Sequence, residues 1–212
     1  MIQLRNIIGA SIVGASLLMM VTASASTIVD FTARPWAAAN GSNSFGLGFT
    51  SLQALYTGSG TPTLAFNAGG AAGCVSAAAG LACIGDGMGI SSRLLGEDPG
   101  EIDAGIFNNE TLRVSFAAPK RLLGFDVLNL FQLETGQYRV DGGSWTNFGG
   151  PGGAGGFAAV SLGGITASTL EFRGANLISD FPVARLAVPE PGALSLVALS
   201  LLGLGILRRK SV

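Results

Sequence analysis

Along the middle of the chain, apolar and polar residues alternate in short runs separated by Gly, Asn, Asp and Pro. From Thr111 to Phe116 the alternation is strict: Leu112, Val114 and Phe116 share one face, and Thr111, Arg113 and Ser115 the other. A period of two is that of a strand with one buried face. Leu170 and Phe172 repeat it against Thr169, Glu171 and Arg173. Arg121 to Leu130 differs, with Leu123, Phe125 and Val127 on one face and Leu122, Leu128 and Leu130 on the other. Apolar residues on both faces predict a strand buried on both sides. Gln137 to Val140 and Ser144 to Phe148 flank Asp141-Gly142-Gly143, a sequence that tolerates the positive φ angles of a tight hairpin. Thr27 to Ala33, Phe157 to Leu162 and Phe181 to Val188 complete eight strand-like runs. Two Gly-rich stretches, Gly69 to Gly89 and Gly149 to Gly156, read as long loops. Many short strands with turn signals between them predict an all-β domain, an antiparallel β-sandwich of jelly-roll type.

The two ends break this pattern. Near the N-terminus, Arg5 precedes an apolar run from Ile7 to Val21, and Ala23-Ser24-Ala25 supplies small residues before Ser26. That layout predicts a secretory signal peptide cleaved between Ala25 and Ser26, with the remainder folding in an oxidising compartment. At the other end, Val188-Pro189-Glu190-Pro191 precedes an uncharged run from Gly192 to Leu207, followed by Arg208-Arg209-Lys210. Pro ends the last strand, because it cannot donate to a ladder. As a transmembrane helix the apolar run would reach about 24 Å, slightly short of a ~30 Å hydrocarbon core. The basic residues would stay at the cytoplasmic headgroups, leaving the N-terminal side outside. The expected organisation is a signal peptide over 1–25, a β ectodomain over 26–187 and a sorting and anchoring segment over 188–212.

Composition narrows the chemistry. Net charge is −1 over 212 residues, but the ends are basic. From Ser26 to Val188, eight Lys/Arg face twelve Asp/Glu, leaving −4. A mildly acidic body argues against a nucleic-acid partner. The chain has no histidine, which removes the commonest general base and the commonest transition-metal ligand. No nucleophile-elbow or P-loop pattern is present. Cys74 and Cys83 are the only cysteines, and in an exported chain they predict a disulfide.

Asp86, Glu97, Asp98, Glu101, Asp103 and Glu110 crowd into one loop-rich region. Asp86, Glu101 and Asp103 are compatible with a structural Ca²⁺, which takes carboxylate and carbonyl oxygens, although the spacing is not that of an EF-hand. A solvated acidic loop is the plainer alternative. A carboxylate pair for glycoside hydrolysis needs a separation that spacing along the chain does not supply. Trp145, just after the hairpin turn, and Tyr138 offer flat apolar faces for sugar rings, with packing of the aromatics as the alternative.

The C-terminal arrangement carries a more specific likeness. Val188-Pro189-Glu190-Pro191-Gly192, a Leu/Ala/Gly-rich span and Arg208-Arg209-Lys210 together resemble the PEP-CTERM sorting signal of Gram-negative bacteria. The resemblance implies recognition of Pro189, Glu190 and Pro191 by exosortase, a membrane-embedded cysteine protease. It also implies a transient membrane anchor over Gly192–Leu207, and a link to exopolysaccharide and biofilm. The stretch from Glu101 through Glu110–Phe116 to Leu133–Trp145 is similar to ectodomains found ahead of such tails. That likeness implies a β-sandwich and brings no catalytic residue. The expected function is a non-enzymatic exported surface or matrix protein. A sugar-binding module and a carboxylate-dependent hydrolase are the alternatives.

Overall fold

The computed structural model describes residues 26–189, apart from 70, 78–79, 93–98, 106–108 and 151. The predicted signal peptide and the tail from Glu190 onward lie outside the described residues. Among the described residues no helix is long and apolar enough to cross a membrane.

Ten strands are described: β1 (Ser26–Asp30), β2 (Ser44–Leu47), β3 (Thr50–Tyr56), β4 (Thr63–Asn67) and β5 (Gly87–Ser91), then β6 (Glu110–Val127), β7 (Thr135–Val140), β8 (Thr146–Gly149), β9 (Ala158–Gly174) and β10 (Val183–Pro189). Every strand pair is antiparallel, and all ten join in one sheet. The predicted all-β class is therefore observed. A sandwich implies two separately bonded sheets; here β6 and β9 are long enough, at 18 and 17 residues, to serve both halves of a single network. Over Glu110–Phe116, β6 pairs with β3, and over Gly124–Val127 with β10, while β9 follows it on the other side.

The two long strands correct the sequence reading. Thr111–Phe116 and Arg121–Leu130 were separate in the pattern because Ala117, Ala118 and Pro119 interrupt the alternation. Up to Val127 they instead form one strand with a register shift between Ser115 and Lys120, and Leu128–Leu130 lie beyond its end. Pro119 falls at that irregularity, where no ladder donor is required. Phe157–Leu162 and Thr169–Arg173 likewise belong to β9. A second register shift, between Leu122 and Gly124 of β6, leaves extra β9 residues around Gly163-Gly164 as a bulge. The hairpin forms as expected. Asp141 and Gly142 take φ of 48° and 71°, and the Gly143 N–H donates to the Val140 carbonyl at 2.8 Å, the geometry of a type I′ turn.

The second half of β6 faces inward onto β7 and β8, strands to which it is not hydrogen-bonded. The Phe125 ring meets Tyr138, Phe148 and Phe172 edge-on at 5.3, 5.2 and 4.9 Å between centroids. The sheet thus folds back on itself around an aromatic core. Trp36, in the 3-10 turn Arg34–Ala39, belongs to the same core and packs against Phe31 at 4.8 Å.

Gly69–Gly89 is not simply a loop. It holds a helix, α1 (Ala71–Ala77), and the start of β5. In Gly149–Gly156, Gly149 ends β8 and Ala154–Gly156 form a 3-10 turn. A seven-residue helix is marginal by itself. The predicted Cys74–Cys83 disulfide is formed, with its Cα atoms 5.6 Å apart. Closing this loop contributes about 2.5–3 kcal/mol by loop entropy. Cys74 is buried against Leu128, the residue after β6, and Ala184 of β10, which seats α1 on that end of the sheet. Of the second apolar face of Arg121–Leu130, Leu128 is covered in this way, whereas Leu122 and Leu130 join the main core. Asp30 pins the same segment, accepting from the Ala82 N–H at 2.7 Å, while the Thr32 hydroxyl accepts from the Cys83 N–H at 2.9 Å.

Candidate functional site

The sorting motif begins inside the sheet. Val188 and Pro189 close β10, paired with Thr27 and Ser26 of β1. Val188 is buried, and β6 has already diverged after Ala187. The predicted start of the mature chain and the first Pro of the motif therefore share one rung of the ladder. Ala25, Glu190, Pro191, Arg208, Arg209 and Lys210 lie outside the described residues.

The acidic region works as a set of loop staples. Asp86 is buried, and its N–H donates to the Asn67 carbonyl at 2.8 Å. The buried Glu101 carboxylate accepts from the Asn67 and Asn129 amides at 3.1 and 2.5 Å. Glu110, also buried, accepts from the Asp103 N–H at 2.9 Å. Among the described residues no group of three or more Asp, Glu or Cys side chains is placed to hold a metal. Glu97 and Asp98 lie outside them.

Tyr138 and Trp145 do not form one sugar platform. Successive residues of a strand point to opposite faces. Tyr138 turns inward onto Phe125 and Phe148, whereas Arg139 turns outward beneath Trp145. Trp145 stays partly exposed, covered by two guanidinium groups: Arg139 lies 4.6 Å and Arg173 4.1 Å from its centroid. A cleft of about 330 Å³ opens beside this hairpin, lined by Tyr138, Val140, Ser144, Thr146, Ser161 and Ile165 among others. Arg139 adds a charged side chain to this otherwise apolar and hydroxyl-bearing lining.

The outer face next to Trp145 carries an array that strand alternation alone does not reveal. Gln53 of β3, Arg113 of β6, Glu171 of β9 and Arg139 of β7 stand in one cross-strand row. Arg173 of β9, Gln137 of β7 and Asn147 of β8 form the next. Glu171 is only 2% exposed and receives Arg113 at 2.6 Å and Arg139 from the opposite side. Arg113 also reaches Gln53 at 3.3 Å. Arg173 donates to Gln137 at 2.8 Å, and Gln137 to Asn147 at 2.7 Å. The alternation of Thr169, Glu171 and Arg173 signals an outward face, but the partners require the register.

Burial opposes ionisation of Glu171, but hydrogen bonds and charge from Arg139 and Arg113 outweigh it and hold its carboxyl below the ordinary glutamate value of 4.5. A depressed carboxyl contributes stability above the unfolded value that is lost as pH falls through the lower folded value. Asp126 has the opposite sign. Burial, only partly offset by its ion pair with Arg185, raises it above 3.8, so its cost to folding fades on acidification. Comparing the native chain with Glu171→Gln isolates the first effect. We expect the variant to lose about 1–3 kcal/mol near neutral pH, discounted for the partly exposed arginines. The gap should narrow steadily below pH 4.5. Urea unfolding at several pH values measures it, and a gap that does not depend on pH would refute the assignment.

No curated protein and no solved structure matches the chain. A family model does match its end: residues 187–210 correspond to the PEP-CTERM protein-sorting motif, and the chain thus carries that sorting signal, which overlaps the last three residues of β10.

Proposed function

We propose that this is an exported, non-enzymatic surface or matrix protein, associated with exopolysaccharide or biofilm. A signal peptide over 1–25 starts its export. A short transmembrane helix over Gly192–Leu207 then holds it at the membrane until an exosortase-type protease processes the tail. The cargo is the β body, whose folded-over sheet we read as the two layers of a jelly-roll-like sandwich. The observation that carries this reading is the sorting motif at 187–210, which begins within the last residues of β10. A sugar-binding role is the second reading, favoured by Trp145 on the outer face.

The strand geometry restricts where a protease would cut. Over Arg185–Ala187, β10 is hydrogen-bonded to β1 on one side and β6 on the other, so its backbone is occupied. Processing on the folded body therefore falls C-terminal to Pro189. Intact mass of the protein recovered from the cell surface and the medium tests this. The expected species begins at Ser26, retains Pro189 and lacks the basic end. Retention of 192–212 in every pool would overturn the processing, and a product ending within β10 would overturn its placement.

A further inference from the structure

The outer face around Trp145 has a charge opposite to that of the body. Three guanidinium groups, Arg113, Arg139 and Arg173, stand there against the carboxylate of Glu171 and, at the hairpin end of the same face, that of Asp141. The stretch from Ser26 to Val188 as a whole sums to −4. Glu171 is shared between Arg113 and Arg139. Among the described residues Arg173 makes no ion pair: its Nε donates to the neutral Gln137 amide, and its planar group lies on Trp145. Burial, and then the nearby charge of Arg139, weaken its hold on its proton, as expected for a cation facing another without a counter-ion.

We propose that this face, centred on Arg173, Arg139 and Trp145, binds a carboxylate-bearing polysaccharide, a polymer of uronic-acid type. Each part of the array suits that chemistry. A guanidinium presents a planar fork of donors that matches a carboxylate. An indole face offers apolar area to the C–H side of a sugar ring. Gln137, Gln53 and Asn147 supply amides that both donate and accept, as sugar hydroxyls require. The rows cross five adjacent strands, about 19 Å at the usual strand spacing, so several sugar units can lie along them. The face is rigid because Glu171 fixes two of the arginines and the ladder fixes the rest. Three arginines without a basic run are few for a nucleic acid, whose binding rests on many phosphate contacts. The proposal holds whether or not the tail is processed.

The test uses the full chain in detergent at low ionic strength. Its probes are polygalacturonate, neutral dextran and double-stranded DNA. Polygalacturonate should bind and weaken with added salt, and dextran should not bind. Arg173→Gln removes a donor fork without touching Glu171 and should weaken binding about five- to tenfold. Trp145→Ala should do the same. Arg34→Gln removes an equal charge from an exposed position in the 3-10 turn and should change affinity less than twofold. Arg173→Lys keeps the charge but loses the fork, and should also weaken binding severalfold. Equal losses from Arg34→Gln and Arg173→Gln would overturn the proposal, reducing it to net charge. So would absence of polygalacturonate binding, equal binding of dextran, or tighter binding of DNA that depends on the same residues.

Discussion

Replacing Phe125 by Ala is expected to remove about 3–5 kcal/mol of stability, a large part of the 5–15 kcal/mol typical of a domain. Phe125 is 1% exposed and meets three other rings edge-on. Its backbone belongs to the half of β6 that pairs with β10, whereas Tyr138 and Phe148 belong to β7 and β8. The contact is therefore what closes the folded sheet, and no hydrogen bond of the ladder replaces it. Truncation leaves a cavity bounded by ladders on both sides, which resist collapse. Phe148 continues the cluster to Phe181 at 5.5 Å, so the loss spreads beyond the single site. Phe131→Ala is the comparison, because that ring is 47% exposed and should cost within about 0.5 kcal/mol. Urea unfolding of both variants decides the matter. Equal losses would mean that the aromatic core does not hold the two halves together.

Gly87→Ala is expected to cost a similar amount, about 3–5 kcal/mol, for a different reason. Gly87 has φ of +135°, which side chains rarely adopt, and this alone costs about 1–3 kcal/mol. A Cβ there would also stand 2.3 Å from the Val183 carbonyl oxygen and 2.8 Å from its carbon. Both are backbone atoms of β10, so no rotamer change relieves the clash. β5 must move away from β10, where Met88 pairs with Val183, and this adds about 1–3 kcal/mol. Gly41→Ala separates the two contributions. Gly41 has φ of +78° with nothing within 4 Å of its Cβ position, so only the conformational part should appear. Thermal or urea unfolding that ranks Gly41→Ala level with Gly87→Ala would contradict the close approach of β5 to β10.

The features legible in advance were those carried by neighbouring residues. The Asp141-Gly142 turn, the strict alternation of Thr111–Phe116 and the short Cys74–Cys83 loop each have a local cause, and the structure contains all three. Strands β2 to β5 are not legible in the local pattern. β3 alternates, with Leu52 and Ala54 buried between more exposed positions, but Ala and Gln make that a faint signal. β2 is four residues long and mostly exposed, so Phe45 and Leu47 on its one apolar face make too short a signal to read. α1, Ala71–Ala77, sets its Ala residues against the weaker helix formers Gly73, Cys74, Val75 and Ser76, so propensity does not announce it. Its place comes from Cys74 packing on Leu128 and Ala184.

The candidate site divides in the same way. The sorting motif is a linear pattern, so Val188, Pro189, Glu190 and Pro191 were recognisable as residues in order, and the family model agrees over 187–210. Tyr138 and Trp145 were paired because they are close in the chain. Alternation along β7 turns the half-buried Tyr138 onto Phe125 and Phe148 and leaves Trp145 to Arg139 and Arg173. The sequence by itself determined the β class, the hairpin, the cross-link and the sorting signal, because each depends on residues within a few positions of one another. Only the tertiary structure decided that Arg113, Glu171 and Arg139 meet, and that Arg173 stands on Trp145. Those contacts join positions up to 58 residues apart, and their partners are set by ladder register, which local pattern does not encode.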